Sequence, residues 1–138
     1  MQMKLIVCLD DRNGMLFNKR RQSADRILSQ RILELTVEKF IWMNGYSRKL
    51  FDETAENIRV ADRFLELAGE NDYCFAENVD VTPYIELADT VILFHWNRVY
   101  PADVYFPMEL IAGSWKKVES IEFAGSSHEK ITQEVYVR

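Results

Sequence analysis

The chain has 138 residues, 48% of them hydrophobic and 28% charged, and a formal net charge of −5 at pH 7. A chain of this length makes one domain that buries roughly two-thirds of its extended surface, and the composition excludes a disordered or low-complexity protein. The acidic balance argues against broad electrostatic attraction to nucleic acid or to anionic lipid.

Lys4 to Leu9 carries a continuous apolar run that stops at Asp10, Asp11 and Asn13-Gly14, which predicts a buried first strand and a turn. The apolar part, LIVCL, is too short for a signal peptide or a membrane span, so a cytoplasmic protein without a membrane partner is expected. A polar, basic loop follows, FNKRRQ. Ser23 then reads as the N-cap of a helix whose apolar stripe is Leu28, Ile32 and Leu35. Phe40 to Met43 is a second strand, closed by Asn44-Gly45, and Ser47 starts a short helix through Phe51.

Asn57 to Val60 reads as a short strand, Asp62 to Ala68 as a helix stopped by Gly69, and Tyr73 to Ala76 as another strand. Pro83 to Leu87 is a short helix with proline in its first turn. Thr90 to Val99 is the longest strand, and Trp115 to Phe123 and Ile131 to Val137 alternate like an antiparallel hairpin around AGSSHEK. Strands alternating with helices, then a strand-only finish, predict an α/β domain of three layers with a central mixed β-sheet, spanning 1–138 without linker or repeat.

Cys8 and Cys74 each fall inside a predicted strand and read as reduced core thiols. A disulfide would require the two strands to be adjacent and in register. His95 and His128 are far apart in sequence, so no metal-ligand spacing is present and no metal is expected.

Three stretches taken together resemble the dihydrofolate reductase family: the start LIVCLDDRNGM, the segment LFHWNRVYPADVYFP with its Asp-x-x-Phe-Pro, and the ending EVYVR. Their order and spacing carry the resemblance, and the matching regions cover somewhat more than half of the chain. It implies a compact form of that family's fold. It also implies that Asp25 stands where the family carries an acidic residue into its pterin pocket. Asp25, Leu28, Ile32 and Leu35 fall on one helical face, so the carboxylate can point toward the sheet. Desolvated there, it would have a raised pKa and could assist proton delivery. The other reading of Asp25 is an acid in the first helical turn, favoured by the helix dipole.

The chain departs from the family where the cofactor is held. The family's Gly-Arg-x-Thr reads Asn44-Gly45-Tyr46-Ser47, which leaves Ser47 as the one candidate for a comparable cofactor-binding role. Its Gly-Gly, which permits close backbone approach to the cofactor pyrophosphate, falls on Phe75-Ala76-Glu77-Asn78. Side chains there would obstruct the approach, and Glu77 would repel phosphate. Lys19, Arg20 and Arg21, beside Ser23 at a helix start, could hold an anion; the alternative is a solvated charge run. Ser126, Ser127, His128 and Glu129 read as a polar hairpin loop, because adjacent residues seldom align as nucleophile and base.

Three functions follow as expectations. The first is a diverged member that does not bind a nicotinamide dinucleotide in the family manner, with a cleft formed by Ile6, Cys8, Asp25 and the Lys19–Arg21 loop that binds a small anionic or heterocyclic molecule. The second is an NADPH-dependent reductase of a pterin-like substrate, with Asp25 assisting protonation. The third is a module that meets RNA or protein through its basic loop and aromatic strand, against which the net charge weighs for RNA.

Overall fold

The computed structural model describes residues 3–138. In chain order its strands are β1 (Met3–Leu9), β2 (Gly14–Phe17), β3 (Arg20–Arg21), β4 (Ile41–Met43), β5 (Ile58–Val60), β6 (Tyr73–Phe75), β7 (Ala88–His95), β8 (Val104–Tyr105), β9 (Lys116–Phe123) and β10 (Ile131–Val137). Its α-helices are α1 (Arg26–Leu35), α2 (Gly45–Arg48), α3 (Phe64–Leu67) and α4 (Glu109–Ala112), and Thr82–Leu87 forms a 3-10 helix.

The main sheet has seven strands in the order β5-β4-β6-β1-β7-β10-β9. β1 lies between β6 and β7 and runs parallel to both, the position that an apolar run buried on both faces requires. β10 turns the sheet antiparallel against β7, and β9 pairs with β10 as the edge. The sheet is therefore mixed, as the strand-only finish of the sequence predicts. A smaller sheet, β3-β2-β8, covers one end.

Alternate residues of the central strands feed two cores, one on each side of the sheet. Leu5, Val7, Leu9, Val91 and Leu93 pack with Phe64, Ile85 and Ile111 on the face covered by α3, the 3-10 helix and α4. Ile6, Ile92 and Phe94 pack with Leu28, Ile32, Phe51 and Phe75 on the face covered by α1. This is the three-layer arrangement, and it brings the start of α1 to the ends of β1 and β7.

Several local expectations change. The longest strand ends at His95, not Val99: Trp96 N still donates to Leu9 O at 2.9 Å, but Asn97 takes φ 61° and turns the chain away. The basic stretch FNKRRQ is not a loop. Asn18 and Lys19 take φ 52° and 64°, and Phe17 pairs with Arg20, so the segment is a hairpin closed by a two-residue turn. The helix expected over Asp62 to Ala68 is a single turn, Phe64–Leu67. The cysteines lie on adjacent strands but out of register, since Cys74 pairs with Leu5, and both are free thiols. Among the described residues no helix is long and apolar enough to cross a membrane, and no group of side chains has the arrangement of a metal site.

Candidate functional site

α1 begins at Arg26, and its N-cap is Asp25 rather than Ser23. The Asp25 backbone is extended, with φ −150° and ψ 126°, and its Oδ1 accepts from Ile27 N at 3.0 Å and Leu28 N at 3.2 Å. The loop between β9 and β10 closes over the same carboxylate. Ser126 N donates to Oδ1 at 3.0 Å and Ser127 N to Oδ2 at 2.8 Å, and both serine hydroxyls reach it. His128 Nδ1 lies 3.0 Å from Oδ2. The Asp25 side chain is wholly buried, and that of His128 is 2% exposed.

Burial raises the pKa of Asp25, but the amides of Ser126 and Ser127, the imidazole of His128 and the amide of Leu28 outweigh it. They hold the carboxyl well below the usual carboxylate range. This reverses the raised pKa expected for a desolvated acid in this cleft: desolvation is present, and donors from two segments overcome it. An ionised carboxylate only accepts, so Nδ1 of His128 carries the proton that joins them. In the neutral ring Nε2 is then the acceptor.

Nε2 faces two hydroxyls, Tyr100 Oη at 2.9 Å and Ser23 Oγ at 3.2 Å, which lie 3.4 Å from each other. The buried Trp96 ring stacks on the imidazole at 4.6 Å between centroids with a 28° interplanar angle. The ring is thus fixed on one face by Trp96 and at both nitrogens by hydrogen bonds.

A second cluster lies around Glu77, which is buried after β6. Arg21 grips it with Nε to Oε2 at 2.8 Å and Nη2 to Oε1 at 2.9 Å. Ser47 Oγ donates to Oε1 at 2.8 Å. The Arg21 guanidinium lies 4.2 Å above the Tyr46 ring, whose hydroxyl accepts from Arg21 N at 3.0 Å. Asn44 caps α2 through Ser47 N and ties it to Asn78, Nδ2 to Oδ1 at 2.7 Å.

Two cavities border these clusters. A cleft of about 510 Å³ lies between α1 and Leu50–Asp52, lined by Ala24, Asp25, Arg26, Leu33, Phe51 and Ser127 among others. A much smaller cavity, about 10 Å³, is lined by Cys8, Gln22, Ser23, Glu77 and Trp96 with their neighbours.

A dihydrofolate reductase from Enterococcus faecalis, complexed with NADP(H) and RAB-propyl, superposes on the chain with a TM-score of 0.68 at 14% sequence identity. The match covers 99% of this chain and 96% of that one. The chain has the dihydrofolate-reductase fold. No protein-family model and no curated protein sequence matches it.

Within this dihydrofolate-reductase-like fold the candidate residues from the sequence do not gather around one cleft. Ile6 is fully buried in the α1-side core. Cys8, Arg21 and Ser23 line the small cavity, whereas Asp25 borders the large cleft. Lys19 and Arg20 sit exposed on the hairpin, and Arg21 is separated from them by its ion pair with Glu77. Ser47 is buried with its hydroxyl committed to Glu77.

His128, Trp96 and Tyr100 are the site residues that sequence reasoning did not assign. His128 meets Asp25 across 103 positions of sequence, and no local pattern reports a contact at that distance. Only Ser127, whose Oγ lies 3.1 Å from His128 Nδ1, is a partner of the ring from its own stretch of sequence.

Proposed function

We propose that this chain is a diverged ligand-binding protein on the dihydrofolate-reductase fold, and that it does not hold a nicotinamide dinucleotide in the manner of that family. The observation that carries the reading is the Glu77 carboxylate. It occupies the segment that the family resemblance assigns to the cofactor pyrophosphate, and it engages both Ser47 Oγ and the Arg21 guanidinium. A phosphate arriving there would meet a buried anion whose donors are already spent.

The ligand site is the cleft between α1 and Leu50–Asp52. Its volume of about 510 Å³ lies in the range of small-molecule sites. Leu33, Leu50 and Phe51 supply apolar wall for a flat ring, and Arg26 at the start of α1 supplies a cation for an anionic substituent. The reductase reading draws no support from Asp25, because a carboxylate held ionised by buried donors has no proton to deliver.

Calorimetric titration tests both halves. With NADPH, no saturable binding up to millimolar concentration is expected, and micromolar binding would overturn the closed-site reading. With p-aminobenzoyl-glutamate as an anionic aromatic probe, saturable binding weakened in Arg26→Ala is expected. Equal affinity in the two proteins, or no binding to either, would remove the cleft as the site.

A further inference from the structure

We propose that Ser23, His128 and Asp25 form an acyl-transfer site, with Ser23 as nucleophile, acting on esters of a short acyl group. The arrangement meets the geometric requirement for an activated serine: nucleophile within reach of a base, and the base oriented by a third group. Ser23 Oγ stands 3.2 Å from His128 Nε2, and His128 Nδ1 stands 3.0 Å from Asp25 Oδ2. The three residues come from the chain just before α1 and from the β9–β10 loop, so the relay exists only in the folded molecule.

Each part has a defined role. Asp25 is the positioning residue: held by α1 and by the Ser126 and Ser127 amides, it fixes the Nδ1–H tautomer. The Trp96 stack prevents the ring from turning away. Nε2 is left as the base toward Ser23. Tyr100, 2.9 Å from Nε2 and 3.4 Å from Ser23 Oγ, supplies the donor for the developing oxyanion. With Ser23 Oγ donating to Nε2, the Tyr100 hydroxyl donates to Ser23 Oγ, and that hydrogen turns to the substrate oxygen as Ser23 bonds to the carbonyl carbon.

The chemistry is redox-neutral. Ser23 Oγ bonds to the ester carbonyl carbon as its proton passes to Nε2. The bond from that carbon to the leaving oxygen breaks, and the leaving alcohol takes the proton from Nε2. Water then attacks the acyl-serine by the same route, releasing the carboxylic acid and restoring Ser23.

The cavity beside Ser23 sets the acyl class. At about 10 Å³ it leaves little free space beside Ser23, which disfavours long acyl chains. An acetyl ester is therefore the expected substrate class. This inference does not depend on the ligand reading above, since it concerns Ser23 and not the floor of the cleft between α1 and Leu50–Asp52.

The test is fluorophosphonate labelling of the full chain, followed by intact mass measurement and peptide mapping. One adduct per chain is expected, on Ser23. A pre-steady-state burst of nitrophenolate from p-nitrophenyl acetate should accompany it, with p-nitrophenyl butyrate at least about tenfold slower. His128→Ala should slow labelling by about 100-fold. No adduct on Ser23 after prolonged exposure would overturn the proposal, as would a Ser23→Ala protein that hydrolyses the acetate at the unmodified rate. The adduct map uses the unaltered chain, so it decides the matter even where a variant does not fold.

Discussion

Arg21 and Glu77 form a two-pronged ion pair, Nε to Oε2 at 2.8 Å and Nη2 to Oε1 at 2.9 Å, that joins the β2–β3 hairpin to the end of β6. Its side chains are 22% and 8% exposed, so both charges are largely removed from water. A carboxylate in this position is held by complementary donors on two sides, because Ser47 adds a third hydrogen bond.

Removing one partner should therefore cost far more than a surface pair would. Glu77→Ala is expected to lower stability by about 3 kcal/mol, since it leaves the Arg21 charge and the Ser47 hydroxyl without their acceptor. Urea unfolding provides the measurement: the midpoint should fall with the slope unchanged. A midpoint equal to that of the unaltered protein would show that the pair contributes nothing.

The pH dependence of stability has a definite sign at Asp25. Its folded pKa is depressed relative to the unfolded chain, where a carboxyl titrates near about 4. The stabilisation is thus fully present above that value and is lost as the pH falls below it toward the folded pKa. Asp10 contributes in the same direction. Burial works against it, but the amides of Gly14, Tyr100 and Arg12 and the Gln22 amide lower its pKa on balance. Unfolding measured between pH 5 and pH 3 should show stability dropping with acid, with a shallower slope in Asp25→Asn. Parallel slopes for the two proteins would rule out Asp25 as a source of the acid sensitivity.

Gly125 is required by what stands next to it. A Cβ built there collides with Asp25 Oδ2 and lies 2.9 Å from Asp25 Cγ. That carboxylate cannot yield, because α1 and the following serine amides hold it. Gly125→Ala should cost about 1–3 kcal/mol, and it should raise amide hydrogen exchange at Ser126 and Ser127. Unchanged exchange at those two amides would show that the loop accommodates the methyl without leaving Asp25.

Both thiols are expected to be unreactive in the native protein. Burial and the Glu77 carboxylate raise the Cys8 pKa against the opposing effect of Arg21, and burial with Asp72 pushes Cys74 up to about 12. Little thiolate is present near neutrality. A disulfide-exchange reagent at pH 8 should therefore react slowly with the folded chain and release two equivalents after denaturation. Fast stoichiometric release from the folded protein would contradict this.

The sequence by itself determined the layers of this protein. The apolar run of β1 could satisfy its burial only at the centre of a sheet covered on both faces. This is a local property, written in the run of hydrophobic side chains. Glu77 could also be read as hostile to a cofactor phosphate, because an acidic side chain stands where the family resemblance puts glycine. What only the tertiary structure decided was which polar groups meet. Asp25 became the anchor of a distant loop, Arg21 became a buried partner of Glu77 while Lys19 and Arg20 stayed in solvent, and His128 joined Ser23 and Asp25 as well as its neighbour Ser127. Hydrogen bonds are short and directional, and the distant partners here lie 56 to 105 positions apart. No pattern along the chain encodes such a meeting. It follows from the packing that brings the β9–β10 loop down onto the start of α1.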